Sequence, residues 1–367
     1  MRIGIDARLT HYTQAGISRY TRQLIEALAR NDTEDQFYVL QSFKSKESLV
    51  EEPNFVRRAL YTPAHHRLEQ LTLPVEISLL GLDVLHSPDF IPPFRRNCRS
   101  VITIHDLNFL LYPQFLTKDA ARYYGQIDQA VRRSDAIIAV SEATKQDTIR
   151  LLGVPEHKVT VIYEAASPYF QPLEDPDLPL RLEQELGIKG DFILFVSTIQ
   201  PRKNVPTLLR AYRKLLDDYR LDVKLVLAGE KGWLYDDVFR LVGDLNLESN
   251  VIFLGRVSSK HLLWLYNVAK LLVSPSIYEG FGLTPLEAMA CGTPVVVSNV
   301  ACFPEIVADA GLLVDPHNVE ELTVAIWRLL SDEQLRANMI EKGLKRAASF
   351  SWDRAARETL TLYHSLA

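Results

Sequence analysis

Cysteine is scarce in this chain. Only Cys98, Cys291 and Cys302 occur among 367 residues, an odd number, far apart and without a Cys-x-x-Cys pair. That pattern suggests neither a disulfide framework nor a zinc site, and it fits a reducing cytoplasm. Long apolar runs are missing too, because Pro74, Glu76 and Asp83 interrupt the best candidate for a membrane span. The opening Met1-Arg2-Ile3-Gly4-Ile5-Asp6 reads as a buried strand rather than a signal peptide. The expectation is a cytoplasmic protein, at most peripheral to the inner face of the plasma membrane. Positive charge is not in excess: 41 Lys and Arg stand against 46 Asp and Glu, a net charge of -5. This excludes a chain-wide electrostatic footprint for nucleic acid. No Gly-x-Gly-x-x-Gly follows the first strand, which argues against a dinucleotide-dependent dehydrogenase.

What is present is a soluble globular composition, 47% hydrophobic and 24% charged, on a chain long enough for two cores. Short β-branched runs alternate with helical patterns. Strands are predicted at 2–6, 37–41, 83–86, 101–105, 136–141 and 159–163, and again at 192–197, 223–229, 251–255, 271–276, 294–298 and 311–314. Between strands, 17–30 carries Ile17, Tyr20, Leu24 and Leu28 on one helical face. Near-continuous apolar strands separated by helices indicate parallel sheets covered on both faces. The stretch 167–179 holds Pro168, Pro172, Pro176 and Pro179 with three acids, and reads as a linker. The predicted organisation is therefore α/β, with two doubly wound, Rossmann-like domains at 1–170 and 191–350 and a linker at 171–190 between them. A C-terminal helix at 351–367 has the first domain as its candidate docking site. Such a pair of domains is expected to leave an interdomain cleft at the carboxyl ends of both sheets.

The most informative segment is Ser274-Pro-Ser-Ile-Tyr-Glu-Gly-Phe-Gly-Leu-Thr-Pro-Leu-Glu-Ala-Met-Ala-Cys-Gly-Thr-Pro294. A buried strand turns through Gly280 and Gly282, and a helix is predicted to open at Thr284-Pro285 with Thr284 as its N-cap. The free amides of a helix start and a glycine turn suit anions or sugar hydroxyls. Glu279 precedes the turn and Glu287 lies one turn inside the helix, so both carboxylates are placed to face one ligand.

This segment resembles the Glu-x7-Glu signature of the retaining glycosyltransferases of family 4 (glycosyltransferase group 1), which have the GT-B fold, and mannosyltransferase-like members above all. Ile193-Leu-Phe-Val-Ser-Thr-Ile-Gln-Pro-Arg-Lys-Asn204 is similar to that family's first C-terminal strand and its Arg-Lys pair, with Ser197 where many members have glycine. The resemblance implies that Arg202 and Lys203 bind the donor diphosphate, where preorganised cations stabilise the charge of the leaving phosphate. It implies that Glu279 holds sugar hydroxyls and Glu287 the ribose, with Gly280, Phe281, Gly282, Leu283 and Thr284 at the donor. His105, ending Val101-Ile-Thr-Ile-His-Asp106, faces the transferred sugar by the same resemblance, while Asp106 orients it or caps the next helix. Thr13-Gln-Ala-Gly-Ile-Ser-Arg-Tyr20 resembles the family's glycine loop, with Gly16 near the donor phosphate or the acceptor, Arg19 a weaker candidate, and Ser18 in place of a second glycine. Val251-Ile-Phe-Leu-Gly-Arg-Val257 is similar to the strand whose loop lies against the base, with backbone contacts from Arg256 and Val257. Asp6 and Arg8 either face the cleft or form a structural ion pair.

The implied reaction is a retaining transfer from a nucleotide-diphosphate sugar to a hydroxyl acceptor, a growing polysaccharide or lipid-linked glycan, without metal or other cofactor. GDP-mannose is the favoured donor and a UDP-sugar the alternative. Two rivals share the architecture: a sugar-nucleotide epimerase, which needs no acceptor, and a non-catalytic two-lobed binding protein. Arg57, Arg58, Arg67, Arg95 and Arg96 are either a solvated surface or a contact to an anionic membrane.

Overall fold

The computed structural model describes all residues except 13–15, 116–117, 231, 233–235 and 367, together with the side chains of 115 and 118–120. The described strands are β1 (Arg2–Asp6), β2 (Gln36–Ser42), β3 (Phe55–Leu60), β4 (Val84–Ser87), β5 (Arg99–Ile104), β6 (Ala136–Ala139), β7 (Val159–Val161), β8 (Phe192–Val196), β9 (Lys224–Ala228), β10 (Val251–Gly255), β11 (Leu271–Ser274), β12 (Val295–Ser298) and β13 (Leu312–Val314). Their centres are apolar on both sides, as in Val101, Ile102 and Ile104 of β5 and Val295, Val296 and Val297 of β12, all fully buried. Helices cover both faces of such strands, and every strand pairing is parallel.

Two compact units result. The first comprises Met1–Glu164 with Ser351–Ala367, and its seven-stranded sheet runs β3-β2-β1-β4-β5-β6-β7. The second, Ala165–Phe350, has a six-stranded sheet in the order β10-β9-β8-β11-β12-β13. Both are doubly wound, with the order reversing between β1 and β4 and between β8 and β11. Ligands bind such sheets at the carboxyl ends of the strands at this point.

Two expectations change. The linker expected at 171–190 is part of the second unit, and the chain leaves the first unit at Glu164 rather than at 170. Proline at the first turn starts a helix, Leu178–Leu186, that buries Leu178 and Leu182, and Asn267 accepts from the Leu173 amide at 2.7 Å. β3 was not anticipated, because Arg57 and Arg58 interrupt its apolar pattern; it is an edge strand, where charge is tolerated. The C-terminal helix Trp352–His364 is integral to the first unit. Ser351 caps it, Trp352 meets Tyr20 edge-on at 5.6 Å, and the Tyr363 hydroxyl lies 2.6 Å from His86 Nδ1. His86 Nε2 is 2.8 Å from the Thr103 hydroxyl. Burial, reinforced by the charge of His105, pushes the His86 pKa down to about 3, so a neutral ring bridges helix and sheet.

Candidate active site

In the second unit the switch-point strands β8 and β11 each end in a loop that carries charge. After β8 the chain makes a short turn, Pro201–Lys203, ended by Asn204 in the left-handed region at φ 56°. Asn204 Nδ2 donates to the Pro275 carbonyl at 3.0 Å and to the Pro316 carbonyl at 2.6 Å, and the Ile277 amide donates to the Arg202 carbonyl at 2.9 Å. One asparagine thus ties three loops together. Its role has no signature in the sequence beyond its place beside Lys203.

That frame brings Arg202, Lys203 and Glu279 together. Arg202 Nη1 donates to Glu279 Oε2 at 2.8 Å and to the Tyr278 carbonyl at 3.2 Å, while Lys203 Nζ donates to Glu279 Oε1. The three side chains are only 13–16% exposed. Burial alone raises a carboxyl pKa, but the two cations outweigh it and hold Glu279 at about 2. The carboxylate is ionised at neutral pH, and the cluster carries a net charge of one positive unit.

The glycine turn differs from expectation at the cap. The helix is Leu283–Ala290, and its N-cap is Gly282 at φ 89° rather than Thr284, which lies in the first turn. A Cβ at Gly282 would meet the Phe303 ring at 2.9 Å, so side chain and backbone both require glycine. Gly280 and Phe281 are buried, and Phe281 packs edge-on against Phe350. The first amides, Leu283 and Thr284, have no partner within the helix. Glu287 is 3% exposed and accepts from the Tyr266 hydroxyl at 3.0 Å. The two glutamates therefore have different partner sets. Arg256 is exposed and pairs with Glu230 at 3.4 Å, while Val257 is half-buried just past β10. Beside them Gly229, at φ 151°, donates its amide to the Gly255 carbonyl at 2.8 Å.

In the first unit His105 follows β5. Its Nδ1 lies 3.0 Å from Glu164 Oε1 and its Nε2 2.9 Å from the Pro88 carbonyl. Both partners only accept, so satisfying both requires a proton on each ring nitrogen. Burial lowers the His105 pKa, yet the bond and charge of Glu164 outweigh it and the net shift is upward. Glu164 is 3% exposed and was not anticipated, since it lies past the end of β7 and is joined to His105 only by the fold. Asp106 accepts from the Asn108 amide at 3.0 Å, at the start of the following helix. Gly16 opens the helix Gly16–Asn31 and is exposed, with Arg19 half-buried beyond it; the preceding 13–15 lie outside the described residues. Arg8 is a structural ion pair: 1% exposed, it donates to Asp6 Oδ2 at 2.6 Å, to Glu69 and to the Thr62 carbonyl at 2.9 Å.

Residues 181–346 match the family described as "Glycosyl transferases group 1", and residues 15–167 match "Glycosyltransferase Family 4". The chain is 32% identical to the O-antigen chain mannosyltransferase B of Escherichia coli, with 97% of each chain covered. It is 27% identical over 93% of its length to the serotype-specific mannosyltransferase WbdA of the same organism, covering 45% of that protein. Its fold matches the sucrose-phosphate synthase of Thermosynechococcus elongatus with a TM-score of 0.79 at 23% identity, covering 100% of this chain and 98% of that one. It also matches Anabaena HepE in complex with UDP and glucose, at 0.76 and 21% identity, covering 100% of both chains. With the charged loops at the switch point of its second sheet and a 32% identical relative covered over 97% of both chains, this chain belongs to the group 1, family 4 glycosyltransferases of GT-B fold.

Proposed function

We propose that this glycosyltransferase moves a mannosyl group from GDP-mannose to a hydroxyl of a growing glycan, with retention and without a metal ion. The observation that carries the reading is the Arg202–Lys203–Glu279 cluster. It offers two preorganised cations to a diphosphate and holds a carboxylate, ionised at neutral pH, beside them for sugar hydroxyls. Charge that grows on the leaving phosphate is then met by groups that need not reorganise. The cations and the amides of Leu283 and Thr284 take the electrostatic part that a divalent ion plays elsewhere. Glu287, buried and oriented by Tyr266, is assigned to the ribose hydroxyls. The choice of mannose rests on the O-antigen mannosyltransferase, which is similar over nearly the whole chain. The test is proton NMR of the product formed from GDP-mannose and a mannoside acceptor in excess EDTA. An α-linked product supports the reading; a β-linked product, or none until metal is restored, refutes it.

The acceptor reading includes peripheral contact with an anionic bilayer. The helix Glu69–Ser78 is apolar on two faces. Leu73 and Ile77 face the core, while Leu68, Leu71, Val75 and Leu79 form an outward stripe, from 51% exposed at Leu68 to 91% at Leu79. Arg67 is exposed next to Leu68 in sequence and Arg95 is exposed in a crevice it lines together with Val75, whereas Arg57 and Arg96 are held by backbone carbonyls. An apolar stripe with cationic flanks fits the boundary of an anionic membrane. No helix among the described residues is long and apolar enough to cross one.

A further inference from the structure

The first unit carries another imidazole–carboxylate pair, His65 with Asp89, that the reading above does not use. His65 Nε2 lies 2.5 Å from Asp89 Oδ2, which also accepts from the Tyr123 hydroxyl at 3.0 Å. The His65 ring packs on Tyr123 at 4.1 Å, and its side chain remains 40% exposed. His65 adopts φ 60°, a left-handed conformation unusual for a side-chain-bearing residue. Asp89 adjoins Pro88, whose carbonyl accepts from His105, so the two pairs flank one rigid dipeptide at the carboxyl end of β4.

Beneath His65 lies a recess of about 20 Å³, lined by Asp6, Glu69, Ser87, Asp89 and Tyr123. That is room for one oxygen-sized group and no more. Its charge excludes an anion, for three carboxylates converge there while Arg8 is already paired with two of them. One buried polar atom is left over. Ser87 is 2% exposed, and its Oγ has no hydrogen-bond partner among the described residues. An unpaired buried hydroxyl is costly, and a ligand hydroxyl that reaches it would gain a bond on both sides.

We propose that this recess is a hydroxyl-binding subsite for a neutral sugar, which places the acceptor by taking one of its hydroxyls between Ser87 and the carboxylates, with the sugar lying against His65 and Tyr123. This rests on the glycosyltransferase reading, in which the cluster of the second unit accounts for the donor alone. His65 is a positioning residue here: it fixes Asp89 and forms one wall.

The probe is methyl α-D-mannopyranoside, titrated against the full chain while the His65 imidazole resonances, assigned with His65→Gln, are followed by NMR. The expected result is a saturable shift that sodium sulfate at matched ionic strength does not produce. Ser87→Ala, which removes only the unpaired hydroxyl, should leave the melting temperature unchanged or higher and weaken the mannoside about tenfold, the scale of one hydrogen bond. Asp89→Asn should weaken it similarly. No saturable shift, an equal response to sulfate, or a shift that Ser87→Ala leaves intact (a resident water only) overturns the proposal. GDP-mannose binding is measured by calorimetry on the same samples. Donor binding without a mannoside response rejects the recess alone, and absence of donor binding rejects the parent reading.

Discussion

At the scale of single residues, Arg202 and Lys203 share the carboxylate of Glu279, the cluster proposed to bind the donor diphosphate. Arg202 and Lys203 are held by their mutual partner Glu279 and by the Asn204 frame. Removing either should cut turnover about a hundredfold, the cost of losing one preorganised donor. Steady-state kinetics of Arg202→Ala and Lys203→Ala check this, and unchanged turnover in both contradicts it. His105 gives a pH prediction. Its ordinary pKa of 6.5 is lowered by burial and raised further by Glu164, with a net rise on folding. The pair's contribution to stability is therefore complete below pH 6.5 and lost as pH rises through the raised folded value. Melting temperatures of Glu164→Gln and wild type should converge as pH climbs above 6.5; a constant gap refutes the assignment.

At the scale of elements, loop packing is the constraint. A Cβ on Gly229 would lie 1.9 Å from the Ser197 carbonyl oxygen, so the loops after β8 and β9 close only around glycine. Gly229→Ala should destabilise the second unit by at least about 3 kcal/mol, seen as a lower melting temperature. Tyr363→Phe removes the hydroxyl facing His86 and should cost about 1–2 kcal/mol. The strands at the two switch points were legible in the sequence because they are apolar throughout and strongly periodic with their helices. β3 was not, since an edge strand with Arg57 and Arg58 has no such pattern. The Glu279–Glu287 stretch announced itself through Gly280, Gly282 and Thr284-Pro285, yet its cap was misplaced: backbone conformation at Gly282, rather than the Thr284 side chain, starts the helix. Pairings across the fold, such as Glu164 with His105, leave no local trace at all.

For the whole molecule, two units of one architecture carry different charged clusters. The Arg202–Lys203–Glu279 cluster sits in the second, and the His65–Asp89 and His105–Glu164 pairs sit in the first. The apolar stripe of the first unit predicts sedimentation with phosphatidylglycerol vesicles and little with phosphatidylcholine, each nearby basic residue adding about 1 kcal/mol. Leu71→Asp with Leu79→Asp should abolish it, and sedimentation of that variant like wild type refutes the surface. The most direct test of the central claim is calorimetric titration of GDP-mannose in excess EDTA into wild type and an Arg202→Ala, Lys203→Ala double variant. Binding to the wild type, and at least about tenfold weaker binding to the folded variant, is the predicted result. Equal affinity for both proteins, or binding that appears only when a divalent metal is added, would contradict it.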